Sequence, residues 1–172
     1  MIALLVTDAS YCQITRTGAW AVWAESNRGR VFGGNALAGS SGGSNSAEMH
    51  AAVRGLDAAI KHGVVASGDH VVFQTDSNYV ACRLRPDYQS RRSRHRSRRG
   101  LPQPSQQAYG LESPRLMFLS LVVKHQLTLE IVCSRQGYIL WHVDRFARAC
   151  MVEERARRQC SFIEEELTII DF

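Results

Sequence analysis

"FQTDSNYVACRL", residues 73–84, sets one carboxylate, Asp76, directly behind the apolar run HVVF at 70–73. Strand interiors disfavour Asp, and taking a carboxylate out of water is costly unless something pairs with it. A strand that ends on such a residue reads in two ways. Asp76 either caps a short helix starting at Ser77, a very common use of Asp, or faces a site.

Outward from this junction the chain alternates between strand and helix patterns. Residues 2–7 are an unbroken apolar run ending at Asp8, the mark of a buried strand. GAWAVWAES (18–26) and GRVFGGNALAG (29–39) read as the next two strands around the turn-forming SNRG, an antiparallel meander on strand one. GSSGGSN (39–45) is a flexible loop. In SAEMHAAVRGLDAAIKHG, Ala47, Ala51, Leu56, Ala59 and Ile60 recur at helical spacing, and Gly63 is a natural stop. DHVVFQT (69–75) is the fourth strand and SNYVACRL a short helix. Beyond residue 113, PRLMFLSLVVKHQ (114–126) suits a buried helix, LTLEIVC (127–133) a strand and VDRFARACMVEERARR (143–158) an amphipathic helix. The predicted fold is α/β, a five-stranded mixed sheet with its first three strands antiparallel, flanked by helices.

The bulk composition agrees. A chain of 172 residues with 45% hydrophobic and 22% charged content is a single folded domain of ordinary size. The five cysteines form no CxxC pair and no secretion signal precedes them, which predicts free thiols in a reducing compartment, the cytoplasm, with nuclear or viral origin left open. LMFLSLVV, the longest strongly apolar run, is too short to span a bilayer, so no membrane partner is expected. The net charge is +5, and eight of the 21 Lys and Arg residues fall between Arg83 and Arg99. Charge clustered in one loop points to an anionic partner, nucleic acid above all. That loop belongs to an Arg-rich insertion at about 85–113, and SFIEEELTIIDF (161–172) is a C-terminal tail suited to an extra edge strand or to docking a protein partner.

Four acids stand at element junctions. Asp8 has an ordinary reading as a turn aspartate. Glu48 follows Asn45 by three residues, a capping-box spacing. Asp144 sits at the predicted start of the last helix, where the macrodipole favours an anion. Each alone is structural; together they are not. Asp8 and Asp76 end strands that a β-α-β crossover would make neighbours, and Glu48 and Asp144 start helices that meet the same sheet edge. Carboxylates gathered there would repel one another unless a cation neutralised them. Oxygen-only ligation suits Mg²⁺ or Mn²⁺.

TDAS at 7–10, NSAEMHAAVRGLDAA at 45–59, TDSNYV at 75–80 and VDRFARAC at 143–150 resemble, in order and spacing, the four active-site blocks of type 1 ribonuclease H. The resemblance implies the ribonuclease H-like fold. It also implies endonucleolytic hydrolysis of the RNA strand of an RNA–DNA hybrid to 5′-phosphomonoesters, with two Mg²⁺ ions (Mn²⁺ substituting) about 4 Å apart. Asp8, Glu48, Asp76 and Asp144 would be the metal ligands, Asp8 bridging both ions. Ser10, Asn45 and Asn78 match substrate-binding positions near the 2′-hydroxyls. The pattern departs at VCSRQG (132–137), where Arg135 occupies the place of the family's mobile histidine; His142 is the other residue placed to serve. The insertion falls where many members carry a basic handle. Its arginines, among them Arg91, Arg92 and Arg94, read as an electrostatic tether for phosphates. The chain is expected to act as a monomer. The alternatives are a catalytically impaired hybrid-binding module and a same-fold nuclease that cuts DNA. Deleting residues 90–99 is expected to weaken hybrid binding and flatten its dependence on salt while leaving turnover at saturation intact; titrations at several salt concentrations, with an unchanged slope, would refute the tether.

Overall fold

The structure is a computed structural model that describes residues 1–37, 43–85 and 109–167; the side chains of 109–112 and 159–167 are not part of the description. Five strands form one sheet in the order β3-β2-β1-β4-β5. Their ranges are β1 Ile2–Cys12, β2 Thr17–Ser26, β3 Gly29–Leu37, β4 His70–Thr75 and β5 Thr128–Cys133. β1–β2 and β2–β3 pair antiparallel, while β4 lies parallel to β1 and β5 parallel to β4. The helices are α1 Ser44–Lys61, α2 Asn78–Leu84, α3 Tyr109–Lys124 and α4 Tyr138–Leu167. This is the predicted mixed α/β sheet. No helix among the described residues is long and apolar enough to cross a membrane.

The alternation of strand side chains divides the core between two layers. Ala3 and Leu5 of β1, Val22 of β2 and Phe73 of β4 pack with Met49 and Leu56 of α1, Val80 of α2 and Phe118 of α3. On the other face Val6 and Ala21 meet Leu140, Val143 and Ala147 of α4. Phe32 and Phe146, with ring centres 4.9 Å apart, pin α4 against β3. β1 and β4 share register only from Ile2↔His70 to Val6↔Gln74, whereas β1 runs on beside β2 to Cys12. Asp8 therefore lies within β1, four residues before its end, and just past the stretch where β4 accompanies it. At the opposite end of the sheet Asp69, 3% exposed, is ion-paired with Arg28.

Several element boundaries depart from the sequence reading. α1 is capped by Gly43 at φ +77°, whose carbonyl accepts the N–H groups of Ser46 and Ala47 at 3.1 Å, so Asn45 lies inside the first turn and no capping box forms. The cap of α2 is Ser77, whose Oγ accepts the Val80 N–H at 3.4 Å. α4 begins at Tyr138, where the Trp141 N–H bonds the Gly137 carbonyl, so neither His142 nor Asp144 stands at its entrance. α3 reaches back to Tyr109, inside the predicted insertion, and α4 continues through Leu167, so residues 161–167 are helix and not an edge strand. The rest of the insertion, 86–108, the glycine-serine loop at 38–42, and 168–172 lie outside the described residues.

Gly55 is what lets α1 sit so close to the sheet. A Cβ there would come within 2.5 Å of the Thr7 Cγ2 and 3.1 Å of the Val22 Cγ2. Gly55→Ala is expected to destabilise the protein by about 1–3 kcal/mol despite alanine's better helix propensity. Chemical denaturation reads this directly, and an unchanged or raised midpoint would contradict the close seat.

Candidate active site

At the end of β4 the backbone turns through two local bonds. The Thr75 Oγ1 accepts the Ser77 N–H at 3.1 Å, and the Ser77 Oγ accepts from Val80. Neither uses the carboxylate between them. Asp76 is not a cap; its side chain is left to face the notch beside β1. The strand β5 ends alongside: Ser134 N–H bonds the Thr75 carbonyl at 3.0 Å.

Into this notch the fold brings Asp8 from β1, Glu48 from α1 and Asp76. One carboxylate oxygen of each lies within 4.8 Å of the others. Asp8 is 4% exposed, and its Oδ2 and the Glu48 Oε2 are buried with no hydrogen-bond partner. Burial first, then the charges of Asp76 and Asp144, raises the Asp8 pKa from its ordinary 3.8 to about 7. Burial, followed by the charges of Asp8 and Asp76, raises Glu48 from 4.5 to about 9. Asp144, half-buried on α4, lies near enough for its charge to raise Asp8, and its Oδ1 accepts from Arg148 Nε at 2.8 Å. All four predicted acids thus converge, three closely and the fourth through Asp8.

This donor set fits a hard divalent cation. Its carboxylates are driven to hold protons and two of its buried oxygens lack a donor, so a cation bound there would relieve both. Among the described residues no His or Cys joins the cluster of three.

The remaining predicted residues that the structure describes lie on several elements. Asn78, exposed, accepts from the Cys133 Sγ at 3.2 Å. Ser10 lies half-buried two residues beyond Asp8 on β1, and Asn45 is exposed in the first turn of α1. Arg135 is exposed in the short segment between β5 and α4. His142 is held edge-on by Tyr138 and Trp141, with ring centres 4.3 and 4.8 Å away, and its Nε2 is buried without a partner. Arg91, Arg92 and Arg94 lie outside the described residues. Two neighbours were not foreseen. Arg148 had a signal, the Asp–Arg pair at i, i+4 in VDRFAR. Cys133 had none, because only the β4–β5 register places it opposite Thr75.

Solved structures of the same fold are similar over nearly their whole length. The chain matches ribonuclease H1 from the halophilic archaeon Halobacterium salinarum at 17% identity and a TM-score of 0.62, covering 89% of this chain and 99% of that one. It matches the N-terminal ribonuclease H domain of a Mycobacterium tuberculosis protein at 16% and 0.61, covering 91% and 98%. A ribonuclease H1 isolated from compost, solved in complex with an RNA/DNA hybrid, gives 12% and 0.56, covering 88% and 98%. No family model and no curated protein sequence matches the chain. The fold is that of ribonuclease H.

The raised acids fix the sign of the pH dependence. Folded Asp8 and Glu48 keep protons that the unfolded chain has already lost above 3.8 and 4.5, so their contribution is full below those values and is lost as pH rises through about 7 and then about 9. In chelator the melting temperature is expected to fall between about pH 5 and about pH 9, and less steeply in Glu48→Gln. A flat profile for the native chain would refute the cluster's electrostatics.

Proposed function

We propose that this chain, with its ribonuclease H fold, is a type 1 ribonuclease H, a divalent-metal-dependent endonuclease that hydrolyses the RNA strand of RNA–DNA hybrids. The observation that carries the reading is the meeting of Asp8, Glu48 and Asp76 at the end of the parallel strands, with buried carboxylate oxygens that have no donor. The four sequence blocks that resemble the family's active site contribute those acids and Asp144, which supports the same reading. The described elements act as one domain, with the Arg-rich segment as an insertion between α2 and α3.

In this reading Asp8, Glu48, Asp76 and Asp144 hold two Mg²⁺ ions, or Mn²⁺. Bound there, such ions supply charge neutralisation of the phosphodiester and a more acidic attacking water. The chemistry is one displacement: water oxygen bonds to phosphorus and gives up a proton to solvent, the bond to the 3′-oxygen breaks, that oxygen takes up a proton from solvent, and the phosphate stays on the 5′ side. The chain's part is to place charge. Asp8, rigid within β1 and flanked by β2, is the fixed point, and Asp76 and Glu48 approach it from two other elements. Ser10, Asn45 and Asn78 would meet sugar hydroxyls, and a 2′-hydroxyl is what separates RNA from DNA there. Arg135, exposed between β5 and α4, is a cation suited to the departing phosphate. His142, held between Tyr138 and Trp141 one turn into α4, is the other residue proposed to assist the leaving oxygen.

The test is cleavage of one labelled strand at a time in RNA–DNA, RNA–RNA and DNA–DNA duplexes with Mg²⁺ or Mn²⁺. Cutting is expected in the RNA of the hybrid alone, reduced at least about a hundredfold in Asp76→Asn. Mg²⁺ should raise the melting temperature of the native chain, and less that of Asp76→Asn. Tight hybrid binding with no cutting in either metal would replace the enzyme by a binding module, and cutting of DNA–DNA would replace it by a DNA nuclease of the same fold.

A further inference from the structure

Along α4, Tyr138, Trp141, Arg145, Arg148, Val152 and Arg155 follow one another at steps of three and four residues, the spacing of a single helix face. The face is exposed throughout. Tyr138 is 77% and Trp141 49% exposed, far from the burial usual for such large rings. The opposite face, Leu140, Val143 and Ala147, is buried against β1 and β2. Asp144 stands at the border between the two, near Asp8 on one side and bonded to Arg148 on the other. The stripe therefore runs past the acid of the notch, its rings on the N-terminal side of Asp144 and its arginines on the C-terminal side.

Its rings are fixed in place. His142 meets both Tyr138 and Trp141 edge-on, and the Arg145 guanidinium lies 4.7 Å over the Trp141 ring. Glu153 and Glu154 lie on another side of the helix, where they line a cleft with Gly34 and Asn35 of β3. The stripe itself carries three arginines and no acid.

We infer that this face of α4 binds an unpaired nucleotide segment continuous with the hybrid in the notch, its bases stacking on Tyr138 and Trp141 and its phosphates meeting Arg145, Arg148 and Arg155. Flat exposed rings followed along the same helix face by arginines are a stacking and phosphate track. A duplex offers phosphates along its length, but its base faces are already stacked on each other, so the rings find a partner only where the strand is single. Stacking of this kind tolerates any base. The substrate class is thus a hybrid with a single-stranded extension, the kind of junction left where hybrid gives way to unpaired strand. The inference rests on the ribonuclease H reading for the position of the hybrid.

The test is binding of the native full chain, in chelator, to a blunt hybrid and to the same hybrid carrying an extension of about ten thymidine deoxynucleotides or ten uridines. Fluorescence anisotropy of the labelled hybrid is expected to show about tenfold tighter binding with either extension. Tyr138→Ala with Trp141→Ala should remove that preference, and Tyr138→Phe with Trp141→Phe should keep it. Quenching of tryptophan emission by the extension, present in the native chain and lost in Trp141→Phe, places the contact without any alanine variant. Equal binding of blunt and extended hybrids by the native chain, or quenching that survives in Trp141→Phe, would overturn the inference. Cleavage is not read, so an inactive protein would sink the enzyme reading in the duplex assay and leave this result to stand or fall alone.

Discussion

The parallel pairing of β1 with β4, and its early end, is the constraint on which the site depends. The two strands share register only as far as Val6 and Gln74, after which β4 turns into α2 while β1 continues beside β2. A notch opens at that point, and Asp8 and Asp76 stand on its two sides. The close seat of α1, allowed by Gly55, brings Glu48 to the same place. The two ends of the sheet treat buried acid in opposite ways. Asp69 at one end is neutralised by Arg28, whereas at the other Asp8 and Glu48 keep oxygens without a donor. A buried carboxylate without a counter-charge costs stability, and this fold supplies an arginine at one end and none to the three clustered acids at the other.

Much of this was legible in the sequence. Unbroken apolar runs ended by a carboxylate identified β1 and β4, and the helical spacing in NSAEMHAAVRGLDAA placed Glu48 on a helix. What failed was end chemistry. Asn45 has the residue type and spacing of a cap, yet Gly43, with its positive φ, enters the helix first and turns Glu48 toward the sheet. Asp76 is a good cap by type, yet Ser77 and Thr75 do the local bonding. Caps are decided by one backbone angle, which tertiary packing sets and composition does not.

The start of α4 was hidden for another reason. Tyr138, Ile139, Leu140 and Trp141 carry no apolar–polar alternation because large rings occupy the outer face, so the helix announces itself only from Val143 onward. The same rings make the outer face chemically distinct. One helix thus carries a packing face, an acid at the border and a cationic aromatic face within a few turns. Cys133 was invisible on different grounds, since its place beside Asn78 exists only once β5 pairs with β4.

The acids of the notch come from positions 8, 48, 76 and 144, on one strand, two helices and the turn after β4. Their meeting therefore waits on the most distant contacts in the chain, those of the last helix with the first strand, and contacts of long sequence separation form slowly. A partly folded chain has no notch. An ion held there grips only the finished molecule, so it acts on the lifetime of the native state by slowing unfolding, and leaves the rate at which the chain first folds almost untouched.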